Sequence, residues 1–266
     1  MVATAKRIHI PGLGEGTIST GSGYPFKAYD GLPGGWSVGD IITIGKSSFA
    51  VAKAGGAISS TGLACKNDLS QGVANSAVAA VAAAGATAVI LTTSATSGAL
   101  GTGAIAEDEF KGGDIVLFTT GSDIPQRRGI TGNTARVATG SLPVTFTLDS
   151  PLTTALGTSD TGEAMQSPWS HVVQDTEISH PVVGVPTVVA SSGQYLLLQV
   201  TGMTFVSPQA GVGVAGAVAC YWRHDGSVDI YANIGTYVTS RLAGYVLSEA
   251  AAHTQGAPFL MLAPLV

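Results

Sequence analysis

The chain has 266 residues, of which 36 are glycine, 45% are hydrophobic and only 11% are charged, against about 25% charged in ordinary soluble proteins. That hydrophobic share and a net charge of −5 exclude the composition of a disordered chain, and with no basic aromatic stretch they argue against direct binding of DNA or RNA. Few charges leave a surface of Ser, Thr, Gly and Ala that is poorly defended against association, which suits a protein whose normal state is assembled.

The opening MVATAKRIHIPGLGEG carries Lys6 and Arg7 with no apolar core behind them, so no secretory signal is expected. Lys6, Arg7, Ile8 and Ile10 form an arm suited to adding a strand to a neighbour's sheet edge. Gly12-Leu13-Gly14-Glu15-Gly16 has the glycines of a dinucleotide loop, but the TISTGSGYP that follows cannot be the helix that such a loop needs. Apolar runs at 38–44 and 49–53 read as strands, which makes Gly45-Lys46-Ser47 a hairpin tip rather than the end of a phosphate loop.

Residues 67–84 are the one segment that argues for helix, with Asn67 or Asp68 as N-cap, good helix formers, and Gly85 as terminator; a mobile or extended connection is the other reading. The longest apolar stretch, 73–91, is mostly alanine and is broken by Asn75, Ser76, Gly85 and Thr87, so it is not a membrane span. Strands follow at 88–93, 114–119 and 144–148. Glu107, Asp108 and Glu109 read as a solvated turn before the strand at 114, since adjacent carboxylates do not flank a substrate. Arg127 and Arg128, beside Gln126, are the sharpest basic feature and are candidates for pairing with acidic groups of a neighbour; a solvated strand explains them as well.

A polar stretch at 155–168 lacks strand periodicity and marks a boundary. His171, Asp175, Glu177 and His180 are the densest group of potential metal ligands; a hydrated polar strand or loop is the plainer reading, because no Cys or second His joins at a recognised spacing, and a weak cation site at a subunit contact is the other. Strands are expected at 182–190, 195–201, 218–223, 227–232 and 242–248, with Asp225-Gly226 as a type I′ hairpin turn. Cys65 and Cys220 read as small buried thiols.

The expected fold is mainly β: an antiparallel sandwich or barrel body of many short strands with at most one short Ala-rich helix. Three regions are expected: an N-terminal arm and small β module at 1–62, a β-rich region at 63–166 and a C-terminal β barrel or sandwich at 167–266. No nucleophile elbow, metalloprotease motif or local cysteine signature is present, so neither an enzyme nor a cofactor is expected.

Three stretches resemble segments of head structural proteins of tailed phages. The first is ATAVILTT, then EDEFKGGDIVLFTTGSDIPQRRGITGN and VTFTLDSPL, carried by Glu109, Phe110, Gly112, Gly113, Arg128, Ile130, Leu148, Pro151 and Leu152. The second is PVVGVPTVVASSGQYLLLQVTGMTFV, carried by Gly184, Val185, Gly193, Gln194, Tyr195, Leu198, Gln199 and Gly202. The third is LAGYVLSEAAAHTQGAPFLMLAP, with Gly244, Tyr245 and Val246 before a turn and residues 259–262 after it. The resemblance, over residues 86–266, is to the capsid decoration or cement proteins of tailed bacteriophages. It implies a capsid-bound auxiliary subunit with a β-sandwich or barrel body, and it implies no active site.

The expectation is therefore a virion protein made in the host cytoplasm that binds the capsid exterior. Its partners would be the major capsid protein and copies of itself in a threefold ring, with neither nucleic acid nor membrane. A tail-associated or host-surface adhesion module binding glycans is the alternative, and would use Trp36, Trp169 and Trp222 as groove aromatics. A major shell protein is disfavoured because the chain lacks the long helix expected of that fold.

Overall fold

The computed structural model describes residues 6–10, 14–18, 27–32, 35–68, 72–93, 104–121, 124–136, 142–177, 179–213, 218–233, 238–247, 259–263 and 265. The chain divides into two compact units: Met1–Asp68 with Trp169–Val266, and the inserted Leu69–Pro168. Unit 2 corresponds to the middle region expected at 63–166, while 1–68 and 169–266 fall in one discontinuous body, because strands from both build the same sheet.

The first part of unit 1 supplies β1 (Lys6–Ile10), β2 (Gly14–Ile18), β3 (Ile41–Ile44), β4 (Ser47–Lys53) and β5 (Cys65–Asn67). Unit 2 supplies β6 (Gly72–Val78), β7 (Ala88–Thr93), β8 (Asp114–Phe118), β9 (Gln126–Asn133), β10 (Leu142–Leu148) and β11 (Thr161–Met165). Unit 1 resumes with β12 (Val172–Val173), β13 (Val182–Pro186), β14 (Tyr195–Phe205), β15 (Ala219–Arg223), β16 (Val228–Asp229), β17 (Val238–Val246) and β18 (Phe259–Leu262).

Unit 2 is a closed antiparallel barrel in the order β10-β7-β6-β11-β8-β9. Alternate residues of β7, β8 and β10 point inward, as period-two patterning requires, and Val89, Leu91, Ile115, Leu117, Val144, Phe146 and Leu148 fill the interior. Phe110, from the turn before β8, meets Phe146 edge to face with centroids 5.4 Å apart. β11 contributes Gly162 opposite Leu91 and Leu117, where a Cβ would sit 2.9 Å from a Leu117 methyl; the glycine makes room for two leucines.

The helix expected over 67–84 is not formed. Residues 72–78 are strand β6, paired with β7 and β11, and Gly85 sits in a turn at φ +88°. Helix propensity lost to tertiary pairing, since Val73, Ser76 and Val78 face the barrel interior. Asn75, at φ 42°, lies where the register with β11 shifts, a bulge that lets a strand with irregular patterning keep its apolar residues inside. The stretch expected as a boundary, 155–168, does end where unit 2 ends, at Pro168, but it also holds β11, whose small residues pack without showing an apolar alternation.

Unit 1 is built on a sheet ordered β12-β5-β13-β14-β18-β17-β15-β16, with β4 also paired to β14 and β3 to β4, while β1 and β2 form a separate hairpin. The long β14 joins two environments. Its first half, residues 196–200, is buried throughout, because core clusters lie on both of its faces: Leu196 and Leu198 on one, Leu197 on the other. Gln199 inside this run donates its two amide N–H groups to Thr201 O and Met203 O, with Ser47 Oγ at 3.3 Å beside them. The second half pairs with β18 and alternates.

The hairpin at Asp225-Gly226 forms, but not as a type I′ turn. Only Gly226 has positive φ (+82°), Gly226 N–H donates to Arg223 O and Arg223 N–H to Ser227 O, which is a type I turn closed by a glycine bulge. Gly45-Lys46 is a two-residue tip with Gly45 at φ +66°, the glycine-first geometry of a type II′ turn. Strand 182–190 stops at Pro186, and 227–232 gives a two-residue strand followed by a 3-10 turn at Tyr231–Asn233.

Candidate functional site

The polar residues near 171–180 are gathered around a lysine from β5. Lys66 is 1% exposed, and its ammonium meets Asp175 Oδ1 at 2.5 Å, Glu177 O at 2.9 Å and His224 O at 2.7 Å. Three donors meet three acceptors, so the ammonium is fully engaged. The Asp175 second oxygen meets His180 Nδ1 at 2.8 Å; His180 Nε2 lies 3.7 Å from Asp68, whose other oxygen is 3.3 Å from His171 Nδ1. The His171 ring packs on the backbone at Gly55, where any Cβ would overlap it. Burial alone would push the Asp175 carboxyl up, but hydrogen bonds from Lys66 and His180 and the lysine's charge hold it below the usual range.

Among the described residues no group of three or more His, Cys, Asp or Glu has the arrangement of a metal site. The cluster works as a staple: it fastens Asp175, Glu177 and His180 to β5 and to the β15–β16 turn. Gln174 does the same beside it, accepting from Ser59 and Ser60 N–H and donating to Ser60 O and Leu63 O.

The candidate arm, Lys6, Arg7, Ile8 and Ile10, lies on β1, which is already paired within the chain to β2 (Lys6 opposite Ile18, Ile10 opposite Gly14). Gly14, Glu15 and Gly16 are therefore strand residues, while Gly12 and Leu13 lie outside the described residues. Arg127 makes a two-point pair with Asp114 across β8 and β9, at 3.1 and 3.0 Å, and its guanidinium stays solvent-exposed. Arg128 donates to Pro151 O through Nε and Nη2 and to Arg127 O through Nη1, holding the turn after β10. Both arginines thus have partners in their own barrel. Glu109 closes its turn by accepting from Ala106 N–H and Gln166 Nε2.

Trp222 is fully buried, Trp169 is half-buried and donates to Val183 O, and Trp36 packs half-buried against Ile42, Phe49, Val51 and Leu197. Cys65 and Cys220 are free and buried; burial pushes the Cys65 thiol up and the Cys220 thiol up to about 12.

The most unusual surface was not foreseen from sequence. On the outer face of β14, β18 and β17, Met203 stands opposite Met261 and Met261 opposite Tyr245; in the next row Phe205 stands opposite Phe259, whose carbonyl accepts from Leu247 N–H. Met203, Phe205, Tyr245, Leu247 and Phe259 are 54%, 44%, 52%, 48% and 57% exposed. The opposite face carries Leu260, Leu262 and Ala243 into the core. The signal in the sequence is that FLML is apolar in both phases, a strand patterned for burial on two sides, while MTF places its two apolar residues in the same outward phase.

Comparison of the chain with protein-family models, with curated proteins and with solved structures finds no match.

Proposed function

We propose that the chain is a structural virion protein that binds the outside of a tailed-phage capsid and stabilises the expanded head by bridging capsomers. The observation that carries this reading is the bare apolar face on β14, β18 and β17, on a chain only 11% charged. A monomer gains nothing by leaving such a face to water, whereas an assembled subunit covers it. The three stretches that resemble phage head proteins supply the type of assembly; they fall on β7 to β10, on β13 and β14, and on β17 and β18. Two β bodies on one chain suit a bridging role, in which each body contacts a different neighbour. The stabilisation is linkage: a subunit that binds only the expanded lattice makes every departure from it cost its contacts. The β1–β2 hairpin, with no third strand paired to it among the described residues, is the element to add to a neighbour's sheet. Of the aromatics named for the adhesion alternative, Trp222 is fully buried and Trp36 and Trp169 are half-buried, which leaves that reading less aromatic surface.

The test is to mix the purified chain with empty expanded heads that lack it, and to count bound copies after sedimentation. Saturation at copies on the order of hundreds per head, with heads that survive higher temperature, is the expected result. A chain that does not sediment with heads but sediments with purified tails transfers the protein to the adhesion reading. Deleting residues 1–18 should weaken head binding, and undiminished binding would remove the hairpin from the mechanism.

A further inference from the structure

We infer that the outer face of β14, β18 and β17 is where one copy of this chain packs on another, sheet against sheet. The inference rests on reading that face as a docking surface, and is independent of the assignment to a capsid. Three features select a second copy as the occupant.

The first is charge. Met203, Phe205, Tyr245, Leu247, Phe259 and Met261, with Ala219 beyond Tyr245 on β15, include no ionisable group other than the tyrosine hydroxyl. An occupant with charges would have to desolvate them against hydrocarbon without compensation. The same face on another copy brings none.

The second is shape. The six side chains stand in two rows of three across neighbouring strands, so the face is a section of plain sheet rather than a pocket. Plain sheet packs best on plain sheet, about 10 Å apart with interdigitating side chains, and a two-fold axis makes such a face its own complement.

The third is area. Five side chains about half exposed, at about 200 Å² each when fully open, leave roughly 500 Å² of apolar surface, the upper end of what monomers tolerate. Two copies together then bury roughly 1,000 Å² from these residues alone, the level at which specific interfaces begin.

The full-length chain should sediment as a dimer that dissociates on dilution. Tyr245→Lys combined with Phe259→Lys should weaken association about a hundredfold or more, since like charges at the centre of an apolar interface remove its anchors and repel across it. Ile124→Glu, at a residue 78% exposed on the barrel, is the control and should leave the assembly unchanged. Circular dichroism melting of each variant verifies that the fold persists; if the double variant does not fold, Met203→Lys alone takes its place. A wild-type chain that stays monomeric at all concentrations overturns the inference, as does a folded charged variant with undiminished association. A wild-type chain that self-associates through this face yet ignores empty heads keeps the inference and sinks the capsid reading. A folded monomeric variant that still decorates heads keeps both.

Discussion

At the scale of single residues, the pair Lys66 and Asp175 shows how differently two ends of one ion pair can matter. Lys66 is 1% exposed and Asp175 is 30% exposed. Asp175→Ala leaves an ammonium buried with only carbonyl partners, the costly case of an uncompensated interior charge, and should destabilise unit 1 by about 3–5 kcal/mol. Lys66→Met leaves a carboxylate that keeps its bond to His180 and some water, and should cost distinctly less. Urea denaturation of the two variants measures the asymmetry; equal losses would show that the lysine is not effectively desolvated. The same carboxylate sets an acid limit. Its folded value lies below its ordinary one, so its stabilisation is complete above the ordinary carboxylate range and is lost as pH falls through the folded value. Asp225, pushed up by burial but held down by Ser227 and Arg223, and Asp160, held down by the Thr120 and Gly157 N–H groups, act in the same direction. Stability should therefore be flat near neutrality and fall below about pH 4, and Asp175→Ala should flatten part of that fall.

At the scale of elements, the barrel strands depend on a few interior side chains. Phe146→Ala opens a cavity beside Phe110 and should cost about 3–5 kcal/mol, read as a lowered denaturation midpoint of unit 2; a loss well under 1 kcal/mol would mean that the barrel collapses to fill it. Strands of this kind were legible in the sequence. The ranges expected at 88–93, 114–119 and 144–148 match β7, β8 and β10 closely, because Val, Ile and Phe alternate there and glycine or proline bounds them. β6 and β11 were not, because alanine, glycine and serine carry no periodic signal and their strand state comes from neighbours distant in sequence. The polar cluster was half legible: His171, Asp175, Glu177 and His180 stand close in the chain, while Lys66 and Asp68 join them across a separation of about a hundred residues that no local pattern encodes. The apolar face escaped for a different reason. Whether an apolar strand is covered on one side or two depends on which layers stack on it, and that is decided by the order of strands in the sheet.

At the scale of the whole molecule, the insertion of unit 2 has a structural logic that can be tested. The chain leaves unit 1 after β5 and returns to it at β12, and these two strands are antiparallel neighbours, with Asn67 opposite Val172 and Lys66 opposite Val173. Opposed residues in such a ladder are only about 5 Å apart, so the ends of the insert are already held at the spacing of a hairpin. The barrel, for its part, closes with its own six strands and fills its interior from residues 73–164 alone. Residues 69–168 produced by themselves should therefore unfold in one cooperative transition. A chain in which 69–168 give way to a turn of about four residues should likewise fold, since hairpin loops of that length are ordinary. Because Met203, Phe205, Tyr245, Leu247 and Phe259 all lie in unit 1, the shortened chain should self-associate as the full chain does, whereas the isolated barrel should sediment as a monomer. Association that follows the barrel instead would place the contact between copies on unit 2, and would make the outer sheet face a surface for some other partner.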